Sequence, residues 1–377
     1  MAITFSRDLT PEQRAIDELA FEIGRKYADR RFDDHDASLA QWDDLSQSGL
    51  TALSIPEEFG GAGGMLELII LAERLSAGGF PAAKLVIATA IAGSILSRSA
   101  SREQQERWLP GIAAGTTRFC FGLTEPSAGS NVRNLDTTSK KTADGWQIRG
   151  EKTYISALES SDALMLVTKD VTNGGLTLFA FPLPHVGIEC VQVQVDAPAF
   201  EYQWSLFIDT EVPHDTVVGA PGEGADALFN GLNPERLIVA AQGVGIGRWC
   251  LERARQYASQ RVVFGVPIGA HQAIQHPLAE ALIAVEAAWL LLERACRLYD
   301  AGEQAGLESN MAKVAACDAG LLAADRALQT FGGSGFTDET KILQRFMYMR
   351  LLKTIPVARE LALNHIGTAG LGLPRSY

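Results

Sequence analysis

The sequence predicts an α+β protein in three sections: a helical section over residues 1–118, an antiparallel β section over 119–222 and a helical bundle over 223–377. Three observations predict it. Apolar residues recur at helical spacing in the first and last sections. The middle section changes to short β-branched and aromatic runs separated by Gly, Asp, Asn and Pro. A chain of 377 residues also exceeds what one core usually serves.

Taken in order, Asp8-Leu9-Thr10-Pro11-Glu12 reads as a helix start, followed by amphipathic spacing from Glu12 to Asp29. Met65–Leu75 and Ala82–Leu96 are more continuously apolar, as buried helices are. Between them Ile55–Gly64, rich in glycine, reads as a connecting loop, a ligand-lining segment being the alternative. Trp146–Gly150, Ala163–Val167, Leu176–Phe181 and Gly187–Val195 are the clearest strands. Pro221-Gly222-Glu223-Gly224 closes that section and helices resume at Ala225. Ala270–Asp300 would stretch roughly 45 Å at 1.5 Å per residue, a length suited to bundles and often to contacts across subunits. Leu371–Tyr377 reads as a docked tail.

The apolar content of 47% suits a well-buried protein, and the net charge of −12 argues against nucleic-acid binding. The N-terminus lacks a basic-then-apolar signal pattern. The longest apolar run, Leu85–Leu96, is interrupted and falls short of the roughly 20 residues that span a bilayer. A cytoplasmic protein without a membrane span is expected. Cys120, Cys190, Cys250, Cys296 and Cys317 are odd in number and scattered, and His271 and His276 are wrongly spaced for adjacent ligands on a helix, so neither a disulfide framework nor a metal site is indicated.

Two stretches compete for a cofactor. Leu237–Arg248 contains Gly243, Gly245 and Gly247 and could be heard as a strand entering a dinucleotide loop. Arg248 stands where the third small residue belongs, however, and the pattern continues as helix, so close helix crossing is the favoured reading. The other is Phe119–Ser130, where a strand runs to Thr124 and is shaped into a turn by Pro126 and Gly129. Thr124, Ser127 and Ser130 can there address a polar or anionic ligand.

Together with Lys152–Ser156, Arg261–Gln272 and Gln329–Phe336, at these separations, Phe119–Ser130 resembles the acyl-CoA dehydrogenase flavoprotein family over essentially the whole chain. The resemblance implies FAD. It implies flavin contacts from Phe121, Leu123, Thr124, Gly129 and Ser130, with Thr124 on the pyrimidine side of the ring and Ser130 on the pyrophosphate. Tyr154 would pack on the ring where relatives carry Trp or Phe, Ser156 would sit near the hydride-accepting nitrogen, and Ala157 replaces a common Asn. Arg261, Phe264 and Gln272 resemble the segment that reaches a neighbouring subunit's cofactor, and Gln329, Gly332 and Gly333 the adenosine contacts. A homo-oligomer, the family's dimer of dimers, follows from that division.

Many members of the family supply a catalytic Glu near the C-terminus, but this chain has Pro356 there, which cannot accept a proton, and Glu360 stands beyond it as a further candidate contact. A branch resembling isovaleryl-type enzymes takes its base from Leu-x-x-Glu-Arg, present here as Leu232-Asn233-Pro234-Glu235-Arg236. Glu235 is therefore the candidate base and, with Ser130, Arg236 a candidate substrate contact. A local explanation stands beside this one: Asn233 capping a helix, Pro234 in its first position and Glu235 facing the dipole. The reaction implied is α,β-dehydrogenation of an acyl thioester, on coenzyme A or an acyl carrier protein, to the trans-2-enoyl product. Electrons would pass to an acceptor such as an electron-transfer flavoprotein. Arg345, Arg350 and Lys353 could greet an acidic carrier or form a solvated helix face. A flavin monooxygenase on the same scaffold and a non-catalytic interaction protein are the alternatives.

Overall fold

A computed structural model describes residues 8–82, 86–195 and 203–375. Helices come first, a sheet follows, and helices end the chain. Thr10 starts α1 (Pro11–Lys26): its hydroxyl accepts from the Gln13 N–H at 3.2 Å and the Gln13 side chain accepts from the Thr10 N–H at 3.1 Å. That reciprocal pair satisfies donors a helix start otherwise leaves bare. Asp34 caps α2 (His35–Gln47) in the simpler one-way form. The loop through Ile55–Gly64, with one 3₁₀ turn at Glu57–Phe59, leads to α3 (Met65–Gly78), which is buried along most of its length. Of the predicted Ala82–Leu96 helix, residues 83–85 lie outside the described residues. Val86–Gly93 is a π-helical segment continued by α4 (Ser94–Ser99), and α5 (Arg102–Ala113) completes the section.

The sheet contains β1 (Phe119–Gly122), β2 (Thr138–Lys141), β3 (Trp146–Ser156), β4 (Ala163–Asp170), β5 (Leu176–Pro182), β6 (Ile188–Val193), β7 (Gln203–Val212) and β8 (Val217–Val218). Its main path runs β6-β7-β3-β2-β4-β5-β8, and β1 lies beside β4. Most pairings are antiparallel, but β1 and β2 both run parallel to β4. Strand alternation divides the core. Ala163, Met165 and Val167 join Phe119 and the helices through Ile95, Trp108 and Leu228. Leu164 and Leu166 face the other way, into a second cluster with Trp146, Phe179 and Ile208. Successive side chains of a strand point to opposite faces, so one strand serves both clusters.

The last section holds α6 (Gly224–Gln260), a small hairpin of β9 (Val262–Val263) and β10 (Val266–Pro267), then α7 (Gln272–Asp300), α8 (Gly306–Phe331), α9 (Ile342–Leu352) and α10 (Arg359–His365). The first and last helical sections share one core, in which Ala20, Leu68 and Leu75 meet Leu237, Val285 and Ala316. Asp300, ending α7, accepts the first two N–H groups of α3 at 2.7 and 3.0 Å. Arg345 on α9, 1% exposed, donates to the carbonyls of Ala28 and Gly79 and lies over the rings of Phe32 and Trp249. Arg345 is thus a buried clamp and is not available to a carrier protein; Lys353 pairs with Asp318 at 2.6 Å.

The glycines of the rival dinucleotide reading sit in the middle of α6, where they permit close crossings. A Cβ at Gly245 would stand 2.2 Å from the Glu73 carbonyl oxygen and one at Gly243 would stand 3.0 Å from that of Ala316. Helix, from Gly224 onward, leads into them where a strand would be needed, so a dinucleotide loop is ruled out there. At the chain's end Leu371 and Leu373 are 73% and 55% exposed, contrary to the expected docked tail, and residues 376–377 lie outside the described residues.

Candidate active site

The strand β1 leads into a turn tied down by a buried ion pair. Lys152 Nζ lies 2.7 Å from Glu125 Oε1 and 3.0 Å from the Leu123 carbonyl oxygen, and the two charged side chains are 0% and 1% exposed. Glu125 also accepts the N–H groups of Asp136 and Thr137 at 2.5 and 3.0 Å. Burial pushes Glu125 up, but Lys152 and those donors outweigh it and hold the carboxyl below its ordinary range. Burial draws Lys152 down to about 8 against the pull of Glu125. The turn therefore presents Thr124 from a fixed frame, with the Thr153 N–H donating to its carbonyl at 2.9 Å.

The pairing of β3 with β7 slips between Lys152 and Ile155, and Tyr154 takes a left-handed φ of 58° in that bulge. Such a conformation strains a non-glycine residue and re-aims its side chain. Tyr154 is 62% exposed as a result. Ser156 donates to Gln203 Oε1 at 3.1 Å. Phe121, Leu123 and Thr124 are partly buried, while Gly129 and Ser130 are exposed; Ser127 donates to Asp136 at 2.5 Å. Among the described residues no hydrogen bond occupies the side chains of Thr124 or Ser130, which leaves both as free donors.

A second group of candidates gathers elsewhere. Arg261 ends α6, Phe264 stands at the hairpin tip with φ 54° and 94% exposure, and Gln272 begins α7. Gln329 lies in the last turn of α8, and Gly332, with φ 57°, ends that helix in a conformation that glycine adopts without strain. Gln329, Gly332 and Gly333 are all exposed. Tyr257 and Phe331 stack with ring centroids 4.4 Å apart, fastening the Arg261 segment to the Gln329 segment. Among the described residues no hydrogen bond or ion pair joins this group to the Thr124 group.

Glu235 lies well inside α6 rather than at a helix start, so Asn233 is no cap and the dipole explanation fails. Pro234 in the helix interior leaves the Asn230 carbonyl without its helical donor. Part of Glu235 remains accessible. Among the described residues its carboxyl makes no hydrogen bond. Burial pushes it up to about 8, against the opposing charges of Arg236 and Lys313.

Arg236 is 5% exposed and donates to the Asn233 side chain, while its Nε has no partner. Burial draws it down to about 10. Lys313 on α8 is fully buried and donates to the carbonyls of Val357 and Lys353 at 2.7 and 3.3 Å. Among the described residues neither cation forms an ion pair. Burial and then Arg236 lower the proton affinity of His365, whose ring lies 3.2 Å from the Asn310 amide nitrogen. Pro356 occupies the turn that Lys313 holds, and Glu360 beyond it is exposed.

The sequence matches three consecutive parts of one family: the acyl-CoA dehydrogenase N-terminal domain over residues 10–116, the middle domain over 120–199 and the C-terminal domain over 222–369. The chain belongs to the acyl-CoA dehydrogenase family. Acyl-CoA dehydrogenase FadE12 of Mycobacterium tuberculosis is 37% identical over 373 residues, covering 97% of this chain and 96% of the relative. The human mitochondrial short-chain specific acyl-CoA dehydrogenase is 32% identical over 310 residues, covering 80% and 74%. Among solved structures, butyryl-CoA dehydrogenase from Megasphaera elsdenii superposes with a TM-score of 0.90 at 26% identity, covering 97% of this chain and all of the other. A chain in a structure of the electron transferring flavoprotein of Acidaminococcus fermentans gives 0.91 at 26%, covering 97% of this chain and all of that one.

Acyl-CoA dehydrogenases are oxidoreductases that bind FAD. The donor chemistry here suits that group: free hydroxyls at Thr124 and Ser130, exposed aromatic faces at Tyr154 and Phe264, and a guanidinium at Arg261. Among the described residues no helix is long and apolar enough to cross a membrane, and no cluster of three or more His, Cys, Asp or Glu could hold a metal ion.

Sequence reasoning missed Lys313, His365 and the pairing of Lys152 with Glu125. A signal existed for Lys313, a lone cation within the otherwise apolar run Met311-Ala312-Lys313-Val314-Ala315-Ala316. His365 offered none, because only tertiary packing brings it near Arg236.

Proposed function

We propose that this acyl-CoA dehydrogenase desaturates an acyl-CoA between its α and β carbons, yielding the trans-2-enoyl thioester, with Glu235 as the base that takes the α-proton. The setting of Glu235 carries this reading: an unbonded carboxyl inside a helix, raised to about 8 by burial. A base with proton affinity near working pH, free of a fixed partner, suits abstraction of a weakly acidic proton. Pro356 leaves its own turn without a competing carboxylate. Bound FAD supplies the acceptor for the hydride.

The remaining roles are the chain's own. Phe121, Leu123, Thr124, Gly129 and Ser130 would hold the flavin's polar edge and pyrophosphate, Tyr154 its face and Ser156 its central nitrogen. Arg261, Phe264, Gln272, Gln329, Gly332 and Gly333 would hold the dinucleotide half bound by a neighbouring copy. Separation of the two groups within one chain supports that division, and so do the exposed Ile283 and Leu290 of α7, 70% and 66% accessible. Assembly as a dimer of dimers fits both. Ser130 and Arg236 are assigned to substrate, an electron-transfer flavoprotein to the acceptor role, and residues 1–118, 119–222 and 223–377 to three domains. A cytoplasmic location accords with five free cysteines.

Anaerobic mixing of the purified holoprotein with saturated acyl-CoA thioesters tests the proposal. The wild type should bleach its flavin without added reductant, whereas a need for reductant and oxygen would mark a monooxygenase. Glu235→Gln should retain FAD and lose about 10²–10⁴-fold in the bleaching rate. Undiminished turnover in that variant overturns the assignment.

A further inference from the structure

Arg236 follows Glu235 on α6, and Lys313 lies on α8, the helix that crosses α6 closely where Gly243 meets Ala316 and Gly247 meets Gly320; both cations are buried and neither is neutralised in an ion pair among the described residues. Lys313 is fully buried, and an ammonium taken out of water is retained only where hydrogen-bond acceptors and opposite charges compensate it. Its donors reach the carbonyls of Lys353 and Val357, on either side of Pro356. The same face of α8 secures that turn twice more. Cys317 Sγ lies 3.4 Å from the Leu352 carbonyl oxygen, and Asp318 binds Lys353 at 2.6 Å and Arg359 at 2.7 Å.

We infer that Lys313 is a positioning residue for Glu235: its ammonium anchors the Pro356 turn and supplies the positive charge that keeps the base ionisable inside the protein. This rests on Glu235 being the base. The charged groups around the pair come from three helices. Arg236, on the base's own helix, opposes protonation of Glu235 together with Lys313. Burial and Arg236 oppose the charge on Lys313, while Cys317 and Asp318 on α8 and Glu360 on α10 favour it. His365, also on α10, sits under the influence of Arg236. With Pro356 in place of an acid, the turn contributes only carbonyls, and Lys313 is where those carbonyls meet the electrostatics of the base. Removing the charge should make Glu235 harder to ionise; removing the anchor alone should not.

The test is the pH dependence of kcat/KM for a saturated acyl-CoA, measured on the FAD-loaded protein for wild type, Lys313→Met, Lys313→Gln and Lys313→Arg. Flavin retention serves as the check on folding. Gln keeps an amide donor for the carbonyls without the charge. Met and Gln should both move the acid limb upward by about one pH unit, lowering kcat/KM about tenfold at pH 7 and recovering as the pH rises. Arg should restore the wild-type limb. An unmoved acid limb in the Met or Gln variant, at whatever overall activity, overturns the inference. Failure of both to retain flavin would assign Lys313 to architecture alone and overturns it equally. Glu235→Gln separates the two levels: if that variant turns over normally, the base assignment itself fails. If it is inactive while the Lys313 variants keep the wild-type limb, only the role of Lys313 fails.

Discussion

Two carboxylates, Glu125 fully buried and Glu235 partly so, stand in opposite situations. Glu125 in the β section is matched by Lys152 and two backbone donors, so its charge is answered within hydrogen-bond distance. Glu235 in the helical section has two cations nearby and no hydrogen bond among the described residues, and burial raises it to about 8. A closed pair of the first kind fixes geometry, here the turn that carries Thr124. An open arrangement of the second kind leaves a proton that can move. The difference teaches that depth alone does not identify a reactive acid; what separates the two is whether the neighbours have already used its lone pairs.

The sharpest way to break the comparison is to remove both acids' function in turn. Glu235→Gln should cost about 10²–10⁴-fold in turnover with little loss of structure. Lys152→Met, which strands Glu125 without its cation, should instead destabilise the fold by about 3–5 kcal/mol, read by denaturant unfolding. Similar damage to stability from both substitutions would erase the distinction.

A pH series sharpens it further. The folded value of about 8 for Glu235 lies above the ordinary 4.5, so its contribution to stability is intact below about pH 4.5 and is lost as the pH rises through about 8. Glu235→Gln should accordingly be more stable than wild type at pH 9, by up to about 5 kcal/mol, with the gap closing towards pH 5. Activity runs the other way: kcat/KM should climb with pH through an apparent value near 8. The smallest effect calibrates the others. Arg149 and Asp209 form an exposed pair at 3.0 Å, and Arg149→Ala should change unfolding free energy by less than about 1 kcal/mol.

Much of the architecture was legible because period and composition report it directly. The change from helical spacing to short β-branched runs lies close to where helices give way to β1, and Thr10-Pro11 announces α1 at the residue where it begins. The candidate base was legible only through its motif. Local rules pointed to a helix start at Asn233, since a proline followed by an acid normally means one, whereas tertiary packing runs α6 straight through it. The same limit hid the depth of Arg345, whose neighbours in sequence look like an ordinary basic helix face. Pairings such as Lys152 with Glu125 depend on strand register, which no local pattern specifies.

Arg345 carries a consequence for anyone cutting and splicing this scaffold. A single guanidinium from the ninth helix completes the ends of segments laid down more than two hundred and fifty residues earlier, at Ala28 and Gly79. A chimaera that swaps the leading third of the protein for a homologous one must therefore import carbonyls at matching places, or leave a stranded charge in the seam.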